Sequence, residues 1–341
     1  MQSEIKHFLS STDKRINRLD VIKGIIAICV VIGHAKKMPQ SIITLIFSFH
    51  VPCFFILSGY ISSLKNSNLK FINFFTKKTK RILIPYLFFF VVGYVYWLLT
   101  CQIEIKRLVW LSRPWWDPLI GLIDNSGPSL YVSPGLWFLP CLFLTQMCFF
   151  SLNIFFNKKI ITCLFILLTL YTILKPSYFT KTLPFSLHLF ILSNFFYSIG
   201  HVSHSIKYFY NKKIDSFFVI IFLIPLWFFL SKINGQVDLN NARYGNFYGL
   251  SIINALIGSL LVCVSSRYLN FTILAKVGKT TLCILGFNFQ LLSIISFIIY
   301  KFNISSDLTT SIISSISIIS LCLLLFQLLK KVTPKLIGEI V

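Results

Sequence analysis

The sequence predicts an all-α fold, a polytopic helical bundle in a membrane with about ten transmembrane helices. Hydrophobic residues make up 56% of the 341 residues and charged residues only 12%. Stretches such as 214–231 and 308–329 are almost free of charge. A soluble domain has about a quarter charged residues. An ordinary cytosolic enzyme and a disordered chain are therefore excluded, and a β-barrel is excluded because the apolar runs do not alternate.

Ten apolar segments are candidate spans, since a spanning helix needs about 20 apolar residues. The first and the fifth are short. In chain order they are 20–35, 41–61, 82–100, 136–156, 159–174, 183–202, 214–231, 246–266, 280–299 and 308–329. We expect residues 1–19 to form a polar, basic cytoplasmic leader, residues 20–330 a single transmembrane domain, and residues 331–341 a cytoplasmic tail.

The distribution of Lys and Arg predicts that both termini are cytoplasmic. With the N-terminus inside, 21 basic residues fall on the inner side and ten on the outer side, and the positive-inside rule favours that orientation. The net charge of +22 is thus explained by topology, and no basic face indicates nucleic-acid binding. The nine cysteines form no CxxC pair, so neither a disulfide framework nor a metal site is predicted.

The first two spans carry ionisable side chains, which inside a membrane indicate function by default. Lys23 and His34 are eleven residues apart, close to three helical turns, so they share one helix face about 16 Å apart. The alternative is that Lys23 extends to the interface and His34 simply ends the span. His50 lies about halfway through the second span, before Pro52. It is either a general base or a structural histidine bonded to a carbonyl.

The connection 101–135 is long and rich in tryptophan, including Trp110, Trp115 and Trp116. Two interpretations stay open: an aromatic belt at the membrane interface, or a platform that stacks on a sugar ring. His188, within the sixth span, is expected to be structural.

Short motifs run along nearly the whole chain, from about 15 to 330. They are RLDVIKG followed by His34, then FHVPCFFILSGY, KRILIPY, LWFL, VDLNNARYGN and VGKTTLCILGFN. Together they resemble the membrane acyltransferase 3 family, and within it the fucose 4-O-acetylase-like branch. The likeness is most specific in the first two spans.

The resemblance implies transfer of an acyl group, usually acetyl from acetyl-CoA, to a hydroxyl of a surface glycan or its lipid-linked precursor. The family pattern of a basic residue, ten intervening residues and a histidine falls on Lys23 and His34. By this resemblance His34 is the catalytic candidate and His50 a second one. Lys23 and Arg81 are expected on the acyl-CoA side, and the basic loop between Lys65 and Arg81 is expected to attract the CoA phosphates.

Three further residues are substrate or oxyanion candidates: Ser58, Trp137 and Asn288. Trp137 matches the family's WFL tryptophan. Many relatives have histidine where this chain has Asn288, although an amide can still donate and accept hydrogen bonds.

The sequence therefore predicts an O-acetyltransferase of the bacterial inner membrane that modifies O-antigen or capsule, with glycan and membrane lipid as its partners and acetyl-CoA as the acyl donor. His34 or His50 would serve as the base, and an acetyl-histidine intermediate stays open. The alternatives are a flippase for lipid-linked oligosaccharides, which would predict paired repeats, and a polysaccharide polymerase, which would predict a larger basic outer loop.

Overall fold

The computed structural model describes residues 2–64, 70–101, 113–126, 129–203, 213–269, 271–305 and 307–339. The described chain is built almost wholly of helices. They are α1 (Gln2–His34), α2 (Gln40–Phe47), α3 (His50–Leu64), α4 (Phe71–Lys78), α5 (Ile84–Thr100), α6 (Asp117–Asp124), α7 (Phe138–Phe155), α8 (Lys158–Leu174), α9 (Phe190–Ser203), α10 (Lys213–Asn234), α11 (Tyr248–Ser265), α12 (Thr272–Lys279), α13 (Thr281–Lys301) and α14 (Leu308–Val332). One antiparallel hairpin, β1 (Val237–Asp238) and β2 (Arg243–Tyr244), joins α10 to α11.

Eight helical segments of the described chain are long and apolar enough to cross a membrane. They are Gln40–Leu64, Phe71–Thr100, Pro134–Phe155, Pro184–Ser203, Phe217–Asn234, Tyr248–Ser265, Thr281–Lys301 and Leu308–Val332. The chain is thus an all-α, polytopic membrane protein, as predicted. The other two predicted spans, 20–35 and 159–174, fall on α1 and on the 17-residue α8.

The predicted span 41–61 consists of two helices, because the helical ladder is interrupted between α2 and α3 at Ser48. The Trp227 indole of α10 donates a hydrogen bond to Ser48 Oγ at 3.0 Å, which holds the interruption in place. Pro52 falls in the first turn of α3, where its missing N–H removes no intrahelical bond. His50 therefore begins α3, and it lies about midway along the apolar span Gln40–Leu64, as predicted.

Arg81 lies three residues before the start of α5, in a π-helical turn, Thr79–Leu83, that joins α4 to α5. Pro85 follows Arg81 by four residues and has no N–H to donate to the Arg81 carbonyl. The proline ring also crowds that carbonyl. A wider turn relieves the crowding. Single π-helical turns within α-helices are frequent at functional sites.

Helices α3 and α9 cross closely at two glycines. A Cβ atom at Gly59 would overlap the carbonyl oxygen of Tyr197, and one at Gly200 would overlap that of Ile56. Small residues let membrane helices approach each other in this way. The crossing fixes the position of α3, which carries His50 at its start.

Gly59→Ala is expected to lower the melting temperature of the protein in detergent, because the added methyl meets backbone that cannot move aside. Overpacking of this kind costs about 1–3 kcal/mol. Gly249→Ala is the matched control, since a Cβ there would meet the Ile173 side chain at an ordinary 3.4 Å. Equal melting temperatures for the two variants would contradict this account of the crossing.

Within the connection 101–135 the structure describes residues 101, 113–126 and 129–135, so Trp110 lies outside the described residues. Trp115 and Trp116 are exposed. Arg113 forms an ion pair with Asp117 at 3.0 Å. Tyr131 donates a hydrogen bond to the same carboxylate at 2.7 Å and so holds the pKa of Asp117 below its usual range. Both interpretations of the tryptophans stay predictions.

Candidate active site

A cavity of about 520 Å³ lies inside the bundle, bounded by α1, α2, α3, α7 and α13 together with the π-helical turn and the hairpin. All seven residues singled out from the sequence line it: Lys23, His34, His50, Ser58, Arg81, Trp137 and Asn288. Residues more than 250 positions apart in the chain thus meet around one space. Their chemical roles stay predictions.

Each of the two histidines is held by the carbonyl one turn before it. Nδ1 of His34 lies 2.7 Å from the Val30 oxygen, and Nδ1 of His50 lies 2.8 Å from the Ile46 oxygen. A carbonyl can only accept, so each Nδ1 carries the ring proton. In the neutral ring Nε2 then keeps a free lone pair, which is the atom that a general base uses.

Aromatic rings fix the orientation of both imidazoles. The Phe47 ring packs against His34 at 5.5 Å between centroids and against His50 at 5.0 Å. Phe289 meets His34 edge-on at 4.9 Å. The two histidines therefore share one apolar wall, and His50 is only 5% exposed.

Lys23 and Arg81 both line the cavity, and α13 connects them: Gly278, just before it, meets Gly24, and Leu282, one turn later, lies with the Arg81 carbonyl beside Gly338. We call this end of the cavity the basic end. Lys23 Nζ pairs with Asp20 Oδ1 at 3.1 Å, a contact that the sequence analysis did not anticipate although the two residues are three apart on one helix. Arg81 Nε is buried and has no hydrogen-bond partner among the described residues. An unpaired buried donor costs about 1–3 kcal/mol. Within the described part of the chain, the basic end therefore offers an anion a hydrogen-bond donor that has no other partner.

Asn288 is the most unusual side chain of the cavity wall. It is 1% exposed, and neither its Nδ2 nor its Oδ1 has a partner within the described part of the chain. Its neighbour in sequence, Phe289, touches His34. An amide kept unpaired beside a cavity is ready to donate a hydrogen bond to a bound group.

Trp137 and Ser58 complete the set from the sequence. Trp137 ends a 3₁₀ turn, Pro134–Trp137, and its carbonyl accepts a hydrogen bond from Asn125 Nδ2 at 3.2 Å. Ser58 lies on α3, two turns beyond His50, and lines the same space.

The hairpin lies within the VDLNNARYGN motif of the family resemblance, although no residue of that motif was assigned to the site from the sequence. Asp238 is the one acidic side chain on the cavity wall among the described residues, and it lies near enough to His34 to interact electrostatically. Gln236, Asn240 and Asn241 line the cavity beside it. A run of polar residues between two apolar spans is the signal that could have found them.

A family model described as an acyltransferase domain matches residues 16–327 of the chain, from the first half of α1 into α14. No curated protein matches the chain. No solved structure matches it either.

Proposed function

Because the chain belongs to the acyltransferase domain family, we propose that this membrane acyltransferase transfers acetyl from acetyl-CoA to a hydroxyl of a bacterial surface polysaccharide. The acceptor would be O-antigen, capsule or a lipid-linked precursor, at the inner membrane, and the chain would belong to the fucose 4-O-acetylase-like branch. The observation that carries the proposal is that His34 and Arg81 meet in one cavity with Asn288, whose amide has no partner among the described residues.

In the proposed reaction the acceptor oxygen forms a bond to the thioester carbonyl carbon, and the carbon–sulfur bond breaks. His34 Nε2 accepts the hydroxyl proton during attack and returns it to the departing CoA thiolate. Its Nδ1 bond to Val30 favours the tautomer that this step needs. His50 is the second candidate for the base, and an acetyl-histidine intermediate is the alternative route.

The negative charge that develops on the thioester oxygen during attack needs a hydrogen-bond donor to stabilise it. Asn288 is suited to this role, because its amide is buried, faces the cavity and has no other partner within the described chain. Ser58 is a further donor on the cavity wall, and Trp137 offers an aromatic surface to a sugar ring.

The basic end is the proposed entrance for the acyl donor. CoA carries phosphates, and a guanidinium binds phosphate through paired donors. Arg81 Nε is buried and has no partner in the described part of the chain, whereas Lys23 forms an ion pair with Asp20. Arg81 is therefore expected to contribute more than Lys23 to the binding of acetyl-CoA.

Arg81→Gln is expected to raise the KM for acetyl-CoA by about tenfold or more, since hydrogen bonds to charged groups contribute about 1.5–3 kcal/mol. The KM for the acceptor should stay unchanged. Initial rates of labelled acetyl transfer measure both constants. Lys276→Gln, which removes an exposed positive charge away from the cavity wall, is the control and should match the unsubstituted protein. An unchanged KM for acetyl-CoA in Arg81→Gln would remove Arg81 from the donor site.

The proposed function is tested by purifying the surface polysaccharide from cells that express the chain and from cells that carry an empty vector. Proton NMR and mass spectrometry should find O-acetyl groups only where the chain is present. Identical acetylation in both preparations, with a change in polysaccharide length or export, would overturn the proposal in favour of the polymerase or the flippase.

A further inference from the structure

The hairpin and Gln236 beside it line the cavity and accept hydrogen bonds from three other segments of the chain. His188 Nε2 donates to the Leu239 carbonyl at 3.0 Å, and Asn234 Nδ2 donates to the Tyr244 carbonyl at 3.1 Å. Gln40 Nε2, at the start of α2, donates to Gln236 Oε1 at 2.8 Å. The first of these bonds ties His188 to the hairpin. A loop fixed in this way binds a ligand without first being ordered.

Two hairpin residues that line the cavity, Asp238 and Asn240, carry hydrogen-bond acceptor atoms. Asn240 Oδ1 is buried and has no partner among the described residues. The Asp238 carboxylate accepts from the Asn241 backbone N–H at 3.3 Å and from Asn241 Nδ2 at 2.7 Å. An ionised carboxylate has about four acceptor positions. Asp238 therefore has acceptor capacity beyond its role as the cap of the turn.

The charges of the cavity wall are separated along its length. Lys23, at the basic end, is about three helical turns of α1 from His34, whereas Asp238 lines the cavity near His34. A phosphate or a carboxylate is attracted to the basic end and repelled by Asp238. Hydroxyl groups, which donate hydrogen bonds, are suited to the surface that Asp238 and Asn240 form.

We infer that the hairpin is the acceptor subsite, in which Asp238 and Asn240 bind hydroxyl groups on a sugar face that carries neither carboxylate nor phosphate. This inference rests on the proposed function. It assigns the two substrates to different parts of one cavity, the acyl donor toward Arg81 and the acceptor toward the hairpin. The proximity of Asp238 to His34 brings the bound sugar beside the proposed base.

The test is the variant Asp238→Asn in the full-length protein, in proteoliposomes, with labelled acetyl-CoA and chemically deacetylated surface polysaccharide from the cells that make the chain. Asparagine caps turns about as well as aspartate, so the variant removes the charge and keeps the cap. We expect the KM for the polysaccharide to rise about tenfold, because the variant loses one charge-assisted hydrogen bond to the sugar. The KM for acetyl-CoA should not change.

Asp307→Asn is the matched control. Asp307 also caps a helix, accepting from the Thr310 N–H at 2.8 Å, but it does not line the cavity. It should keep both KM values. Asn240→Ala provides a second test and should also raise the KM for the polysaccharide, about fivefold for a neutral hydrogen bond.

The possible failures are distinguishable. If the unsubstituted protein transfers no acetyl group to any polysaccharide, the proposed function fails, and the acceptor subsite with it. If it transfers acetyl normally and both hairpin variants keep its KM for the polysaccharide, the acceptor subsite alone is overturned. A fall in kcat for Asp238→Asn at unchanged KM would also overturn it, because the carboxylate would then act on His34 rather than on the acceptor.

Discussion

His34→Asn is expected to lower kcat for acetyl transfer by about 10²–10⁴-fold, the usual contribution of a positioned general base. The asparagine amide can replace Nδ1 as the donor to the Val30 carbonyl, which lies 2.7 Å from the histidine ring. It places no atom where Nε2 was. The substitution therefore removes the proposed base and keeps the local hydrogen bond, so that lost activity cannot be attributed to an unpaired carbonyl.

Two further histidine variants make the result specific. His201→Asn is the control, because His201 packs against Phe149 and does not line the cavity. His50→Asn tests the second candidate, whose Nδ1 bonds the Ile46 carbonyl in the same way. Full activity in His34→Asn together with a large loss in His50→Asn would transfer the role of base to His50.

Asn288→Ala is expected to lower kcat by about 10²–10³-fold, as the removal of one oxyanion donor does in other acyl-transfer enzymes. The KM for each substrate should change little, because the Asn288 amide donates its hydrogen bond only when charge develops on the thioester oxygen. The Asn288 amide has no partner in the described ranges, so its removal leaves no described group newly unsatisfied. We therefore expect the variant to melt at the same temperature as the unsubstituted protein or above it.

Asn254→Ala is the matched control for this second prediction. Asn254 is fully buried on α11, and both its amide atoms lack partners among the described residues, but it does not line the cavity. It should keep its kcat. Equal activity losses in the two variants would show that a general loss of buried amides, and not an oxyanion donor, explains the effect of Asn288→Ala.

Hydropathy was sufficient to predict the class of fold, because a long apolar run with its backbone groups paired internally has few other solutions in a bilayer. It was not sufficient for the interruption at Ser48 or for the π-helical turn at Arg81. Hydropathy measures how far an apolar run extends and contains no information on which carbonyl each N–H reaches. The side chain of Ser48, at the interruption, accepts a hydrogen bond from Trp227, which lies far away in the sequence.

The cavity was predictable in part. The spacing of Lys23 and His34 indicated a shared helix face, while Arg81, Trp137 and Asn288 were named through the family resemblance. The ion pair of Lys23 with Asp20 and the contribution of Asp238 were not predicted. Asp238 lies in a polar connection, and only the folded chain brings that connection over His34. Lys65, at the start of the predicted CoA-binding loop, lies outside the described residues.

The bonds from Nδ1 of His34 and His50 to their own helices have a consequence for the proton balance of the reaction. Each ring exchanges protons through a single nitrogen, so neither can receive a proton on one edge and release it from the other. Under the proposed reaction, a proton taken from the acceptor must be given back into the same chamber, where the thiolate consumes it. Turnover would then be electrically silent, and no proton gradient across the membrane would drive or oppose it.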